Sequence, residues 1–153
     1  MILRNILITS IILFLYGCGY QSIYSNKNNA SFSIDEIFLT GDASINRKIL
    51  NLTRIKEAKK DGPYSYNMRI NSEKLTQVIA KDNLGNASIF KMTININVTL
   101  INENRKNKEK LFTSSFLYNN SSNKFDLTKY KNTAKDDLVE RLADKIIIFL
   151  NTQ

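Results

Sequence analysis

The sequence predicts an α+β fold, a two-layer sandwich in which two helices pack on one face of a mainly antiparallel four-stranded sheet, in the order β-α-β-β-β-α. Three observations predict it. Apolar residues recur at helical spacing in two stretches, after Asp42 and after Asp126. Between those stretches the period falls to two over three consecutive segments. Short polar turns join the three segments, which makes them an antiparallel meander.

The first strand runs from Phe32 to Leu39, and its alternation slips between Ile34 and Ile37, as a bulge or burial on both faces would require. Gly41-Asp42 breaks the chain. Asp42 or Ser44 caps a helix to about Ala58, with Ile45, Ile49, Leu52 and Ile55 on one face and Lys56, Lys59 and Lys60 at the negative end of its dipole. Asp61-Gly62-Pro63 stops it. Tyr64, Tyr66, Met68 and Ile70 then alternate with Ser65, Asn67, Arg69 and Asn71 in a half-buried strand that continues to Val78, with a kink expected near Ser72. Asp82-Asn83-Leu84-Gly85-Asn86 is a tight connection.

Phe90, Met92, Ile94, Ile96, Val98 and Leu100 alternate with polar residues more regularly than any other segment. Asn102 to Lys110 is a charged turn, and Leu111 to Tyr118 is the partner strand. After a polar loop from Asn119 to Lys124, Asp126 or Thr128 caps a helix that runs to about Leu150. Its buried stripe is Tyr130, Ala134, Leu138, Leu142, Ile146 and Phe149. One polar sheet face remains in water while both helices cover the other.

The amino terminus carries a different signal. Arg4 is followed by the apolar run Ile6 to Tyr16 and then by Leu15-Tyr16-Gly17-Cys18, which contains the only cysteine of the 153 residues. The run is too short for a permanent membrane helix, which needs about 20 apolar residues. It reads as an export signal cut after Gly17. A lone cysteine also has no internal disulfide partner.

The expected organisation is therefore a removed signal over 1–17, a tether over 18–31 and a single domain over 32–153. Removal of 17 residues from 153 leaves 136, enough for one domain, and the net charge of +8 less that of Arg4 becomes +7. A basic exported protein invites an anionic partner.

The chain holds no histidine and no tryptophan. Without histidine there is no Ser-His-Asp or Cys-His arrangement, and carboxylates alone are poor ligands for zinc or other transition metals. Asp35-Glu36 and Asp136-Asp137 are adjacent pairs whose side chains diverge and read as solvated charges. No enzyme and no cofactor are expected. Nucleic acid is set aside because the chain is exported and its aromatic residues fall on apolar strand faces.

The segment Leu15-Tyr16-Gly17-Cys18 resembles the lipobox of bacterial lipoproteins, which implies that Cys18 becomes the mature amino terminus and carries acyl chains, palmitate among them. Gly19 stands where an aspartate would resemble the inner-membrane retention signal, so the resemblance implies the outer membrane. Four further segments extend it: Arg47-Lys48-Ile49-Leu50, the stretch Val78 to Leu100 around Asn83-Leu84-Gly85-Asn86, the start Cys18-Gly19-Tyr20, and Arg141-Leu142-Ala143-Asp144-Lys145-Ile146. By the order and spacing of these segments along the sequence, the chain resembles the LptE family of lipopolysaccharide (LPS) assembly lipoproteins over nearly its whole mature length.

The resemblance implies a non-enzymatic factor, lipid-anchored on the periplasmic side of the outer membrane. Such a protein sits inside the lumen of a large LptD-type β-barrel, helps that barrel assemble, plugs it and binds LPS. It implies LPS-binding cations near the central hairpin turn and before the last helix. Lys81 falls in the first region and Lys124 and Lys129 in the second, with Lys91 and Arg69 on the solvent-facing side of strands as further candidates. The alternative is a free-standing envelope lipoprotein that binds an anionic lipid or polymer.

Overall fold

The computed structural model describes residues 33–58, 65–102 and 104–152. The signal, Cys18, the tether, Phe32, Lys59, Lys60, Asp61-Gly62-Pro63 and Tyr64 lie outside the described residues. The elements follow the expected order: β1 (Ser33–Gly41), α1 (Ala43–Thr53), β2 (Ser65–Lys81), β3 (Ala87–Ile101), β4 (Lys108–Asn119) and α2 (Lys124–Asn151). The four strands form one sheet in the order β1-β2-β3-β4.

The β2–β3 and β3–β4 pairs are antiparallel, but β1 runs parallel to β2, so the sheet is mixed. The reason lies in the connection. A tight hairpin reverses direction, whereas a crossover through a helix brings the next strand back in the same direction. The slip in β1 is a register shift between Ile34 and Ile37, where the alternation failed. No kink occurs at Ser72. Its pairing with Ile96 continues the ladder, and the irregularities of β2 fall between Val78 and Lys81.

Helix α1 starts as Asp42 dictates. The Asp42 Oδ1 accepts from the Ser44 and Ile45 N–H groups at 2.9 and 3.1 Å. The helix ends at Thr53 rather than near Ala58, because Arg54 turns left-handed with φ 54° and donates its N–H to the Leu50 carbonyl. Thr53 Oγ1 takes the Ile49 carbonyl at 2.8 Å. Ile55 therefore meets the core from outside the helix, Leu52 is largely exposed, and Lys56 is no longer on the helix axis. From Arg54 the chain runs back along the margin of β1 that β2 leaves open. Ala58 N–H donates to the Ile34 carbonyl at 2.8 Å, and Ile37 N–H donates to Glu57 Oε1 at 3.0 Å.

The cap of helix α2 lies three residues before Asp126, the earlier of the two expected caps. Asn123 is the cap, accepting from the Asp126 N–H, and Asp126 occupies the first turn, where a negative charge suits the positive end of the dipole. Leu138, Leu142 and Ile146 of the expected stripe are buried, joined by Val139, Ala143 and Leu150. Tyr130 is exposed and Ala134 and Phe149 half-buried, so only the second half of α2 is anchored in the core.

The core lies between the helices and one sheet face: Tyr66, Met68 and Ile70 of β2, Ile94, Ile96, Val98 and Leu100 of β3, and Ile45 and Ile49 of α1 all belong to it. Alternation delivers the polar residues to the opposite face, which no helix covers. There Thr40 bonds Asn71, Thr113 bonds Asn95 and Asn97 bonds Glu109, while Leu75, Leu111 and Leu117 are exposed among them.

Candidate functional site

The end of the sheet away from the amino terminus of β2 gathers the most features. There the β2–β3 turn meets the loop from β4 to α2, and Asp82, Asn86, Ala87, Ser88, Asn120, Ser121, Ser122 and Lys124 line a shallow, open depression of about 290 Å³. The turn is built by Asp82. Its Oδ1 accepts from the Leu84 and Asn86 N–H groups at 2.9 and 2.8 Å, its Oδ2 accepts from Asn86 Nδ2 at 3.2 Å, and Gly85 takes the positive φ of 83° that closes the loop. The hydrogen bonds from Asn86 and Leu84 hold the Asp82 carboxyl below its ordinary pKa. It is an anion at neutral pH.

The opposite wall is tied to the turn. Asn120 donates its N–H to the Ser88 carbonyl at 2.8 Å and its Nδ2 to the Ala87 carbonyl at 2.9 Å. Lys124 Nζ donates to Asn120 Oδ1 at 3.1 Å and to the Ser121 carbonyl at 2.9 Å, which positions its ammonium at the depression. With Asp82 in the lining as well, the depression is not a cation-only site. Lys81 ends β2 next to Asp82 at an exposed position, outside the lining.

The other expected cations are spread out. Lys129 is exposed on α2, turned away from the side that carries Leu138 and Leu142. Lys91 and Arg69 do lie on the face without helices, as expected, but Lys91 pairs with Gln77 near the far end of the sheet and Arg69 with Thr99 toward the other. The fold thus brings Lys81 and Lys124 to one end, leaves Lys129 on a different face, and separates Arg69 from all of them.

A feature missed in the sequence adjoins this end. Phe90 stacks on Tyr118 with ring centres 5.3 Å apart, Phe116 lies 5.4 Å from Tyr118, and Tyr130 meets Phe116 edge-on at 6.2 Å. Lys131 Nζ sits 5.8 Å from the Tyr118 ring centre. Pairing Phe90 with Tyr118 across β3 and β4 needs the strand register, which the alternation alone leaves open. Burial pushes the Tyr118 hydroxyl above its usual pKa, an effect that the nearby Thr76 side chain partly offsets. Among the described residues, no group of three His, Cys, Asp or Glu side chains could hold a metal ion, and no helix is long and apolar enough to cross a membrane.

Comparison with known proteins gives the following. The family model for LptE, described as lipopolysaccharide-assembly, matches residues 21–150. No curated protein matches the sequence significantly. Among solved structures, the rare lipoprotein B of Shewanella oneidensis superposes with a TM-score of 0.60 at 10% identity, over 76% of this chain and 94% of that one. A minor lipoprotein of Acinetobacter baumannii gives 0.56 at 8% identity, over 79% and 93%. An uncharacterized lipoprotein B of Nitrosomonas europaea gives 0.52 at 10% identity, over 76% and 81%. At such identities these structures are similar in fold.

Proposed function

The chain belongs to the LptE family of lipopolysaccharide-assembly proteins, and on that premise we propose that it is an outer-membrane lipoprotein that binds LPS and works as plug and assembly factor of an LptD-type β-barrel. Its work is non-enzymatic. The family match over residues 21–150, which takes in every strand and nearly all of the last helix, carries this reading.

Two structural features support it. A wide barrel has a polar interior, and the sheet face without helices offers it Asn, Thr and Ser side chains together with Arg69, Glu73, Lys91 and Glu109, broken by the exposed Leu75, Leu111 and Leu117. Lys81 and Lys124, at the far end of the sheet, supply ammonium groups for the phosphates of LPS, with Lys129, Lys91 and Arg69 as secondary contacts. Cys18 would hold the protein at the periplasmic side of the membrane through its acyl chains. Each buried methylene adds about 0.8 kcal/mol, so several chains together make release slow.

The test of the partnership is purification of the tagged full-length lipoprotein from native membranes in mild detergent. A large β-barrel protein is expected to come with it. Recovery of the lipoprotein alone would instead favour a free-standing binder of anionic lipid. The anchor is tested by Cys18→Ser, which is expected to accumulate as uncleaved precursor outside the outer-membrane fraction. A variant of mature size in that fraction would refute the anchor.

A further inference from the structure

We propose that a shelf on the helix side of the sheet's far end, floored by Thr76, Val78 and the half-buried Phe90, backed by the buried Tyr118 and flanked by Lys74 and Lys131, seats an acyl chain of the LPS. The inference rests on the LPS-binding reading above and names the part of the lipid that this surface takes.

The strand register puts the floor on one face. Val78 pairs with Phe90 and Phe90 with Tyr118, while Thr76 and Lys74 precede Val78 at the two-residue spacing that keeps a side. On this face β2 is buried through Tyr66, Met68, Ile70 and Ser72, and then exposed at Lys74, Thr76 and Val78. The change marks where the helices stop. Helix α1 packs over β1 and the first part of β2, whereas α2 packs over β3 and β4 and does not approach β2. Val78 is consequently 48% exposed in a strand position that points toward the helix layer.

The floor is preformed. Stacking with Phe90, ring centres 5.3 Å apart, fixes the buried Tyr118 ring beneath it. Its edge is cationic, since Lys131 lies over that ring and Lys74 is exposed on the same face. An aliphatic and aromatic strip bordered by ammonium groups is complementary to an anionic amphiphile: the chain lies on the strip, and a headgroup phosphate reaches the lysines. A neutral apolar segment of protein would leave both ammonium groups without a counter-charge.

The experiment uses the full-length lipoprotein and two probes, intact LPS and the same LPS stripped of its acyl chains by alkali, which keeps the sugars and phosphates. Intact LPS is expected to bind more tightly than the stripped form. Val78→Asn should weaken binding of intact LPS by about tenfold, the effect of one apolar side chain of this size, and leave the stripped form unaffected. A benzophenone amino acid placed at position 78 should crosslink to intact LPS, whereas one at Leu52 on α1 should not. Equal affinity for the two probes, or an unchanged Val78→Asn variant, overturns the acyl seat and leaves LPS binding in place. Failure of both probes to bind defeats the LPS reading itself. If Val78→Asn does not fold, as judged by its melting curve, the crosslink decides, and capture of a protein in place of LPS at position 78 overturns the inference.

Discussion

Gly41→Val is expected to destabilise the protein by at least about 3 kcal/mol, which lowers its melting temperature by about 10 °C or more in a domain of this size. Gly41 ends β1 with φ 87°, a conformation that side-chain-bearing residues rarely adopt. The larger cause is a close approach. A Cβ at this position would lie 1.9 Å from the Ser72 carbonyl oxygen, which is backbone in the adjacent strand and cannot swing aside. That carbonyl also receives the Asp42 N–H at 2.9 Å, and Ser72 Oγ donates to the Asp42 carbonyl at 3.1 Å. The turn that launches α1 is therefore clipped to β2 by the contact a side chain would break. Gly85 is the control. It has a similar φ of 83° but open space around it, so Gly85→Ala should cost only about 1–2 kcal/mol of backbone strain. Thermal melts followed by circular dichroism test the pair, and a Gly41→Val protein melting within a degree or so of Gly85→Ala would discredit the close-approach argument.

The second large effect is at Leu142. It is 0% exposed in the half of α2 that the core holds, with Leu138 and Ile146 one turn to either side. Leu142→Ala removes three buried carbons from a layer closed by the sheet beneath and α1 beside, and should cost about 2–5 kcal/mol. Leu117→Ala, on the open sheet face at 58% exposure, should fall within about 0.5 kcal/mol of the parent. Urea titrations read both. Equal midpoints for the two variants would mean that the buried half of α2 does not anchor the helix layer.

The strands were readable because their period is simple. Met92 to Leu100 alternates without interruption, and each apolar member is buried. The bulge in β1 was readable for the same reason, since Ile34 and Ile37 break the period where the register shifts. Helix limits were less so, because caps compete locally. Thr53 and Arg54 close α1 through bonds to Ile49 and Leu50 that the apolar spacing of Ile55 does not reveal, and Asn123 captures α2 ahead of Asp126 although both are capping residue types. The parallel β1–β2 pairing follows from the intervening helix. Alternation within β1 carries no information on the direction of its partner.

The candidate site was only partly readable. Lys81 and Lys124 flank turns whose polar residues announce themselves, and the fold brings those two together at one end. Lys131 and Tyr118 meet through tertiary register, across more than a dozen residues of chain. Nothing in the one-dimensional pattern of Lys129 distinguishes it from Lys131, yet one points away from the sheet and the other lies on an aromatic ring.

The segment after α1 has a further consequence. By occupying the Ile34 carbonyl and the Ile37 amide, Glu57 and Ala58 shorten the unpaired border of β1 to a few residues. Among the described residues, no strand pairs with the outer border of β4. Endless strand-by-strand polymerisation requires two usable borders per molecule. With one of them blunted, pairing between copies through β4 is expected to stop at two.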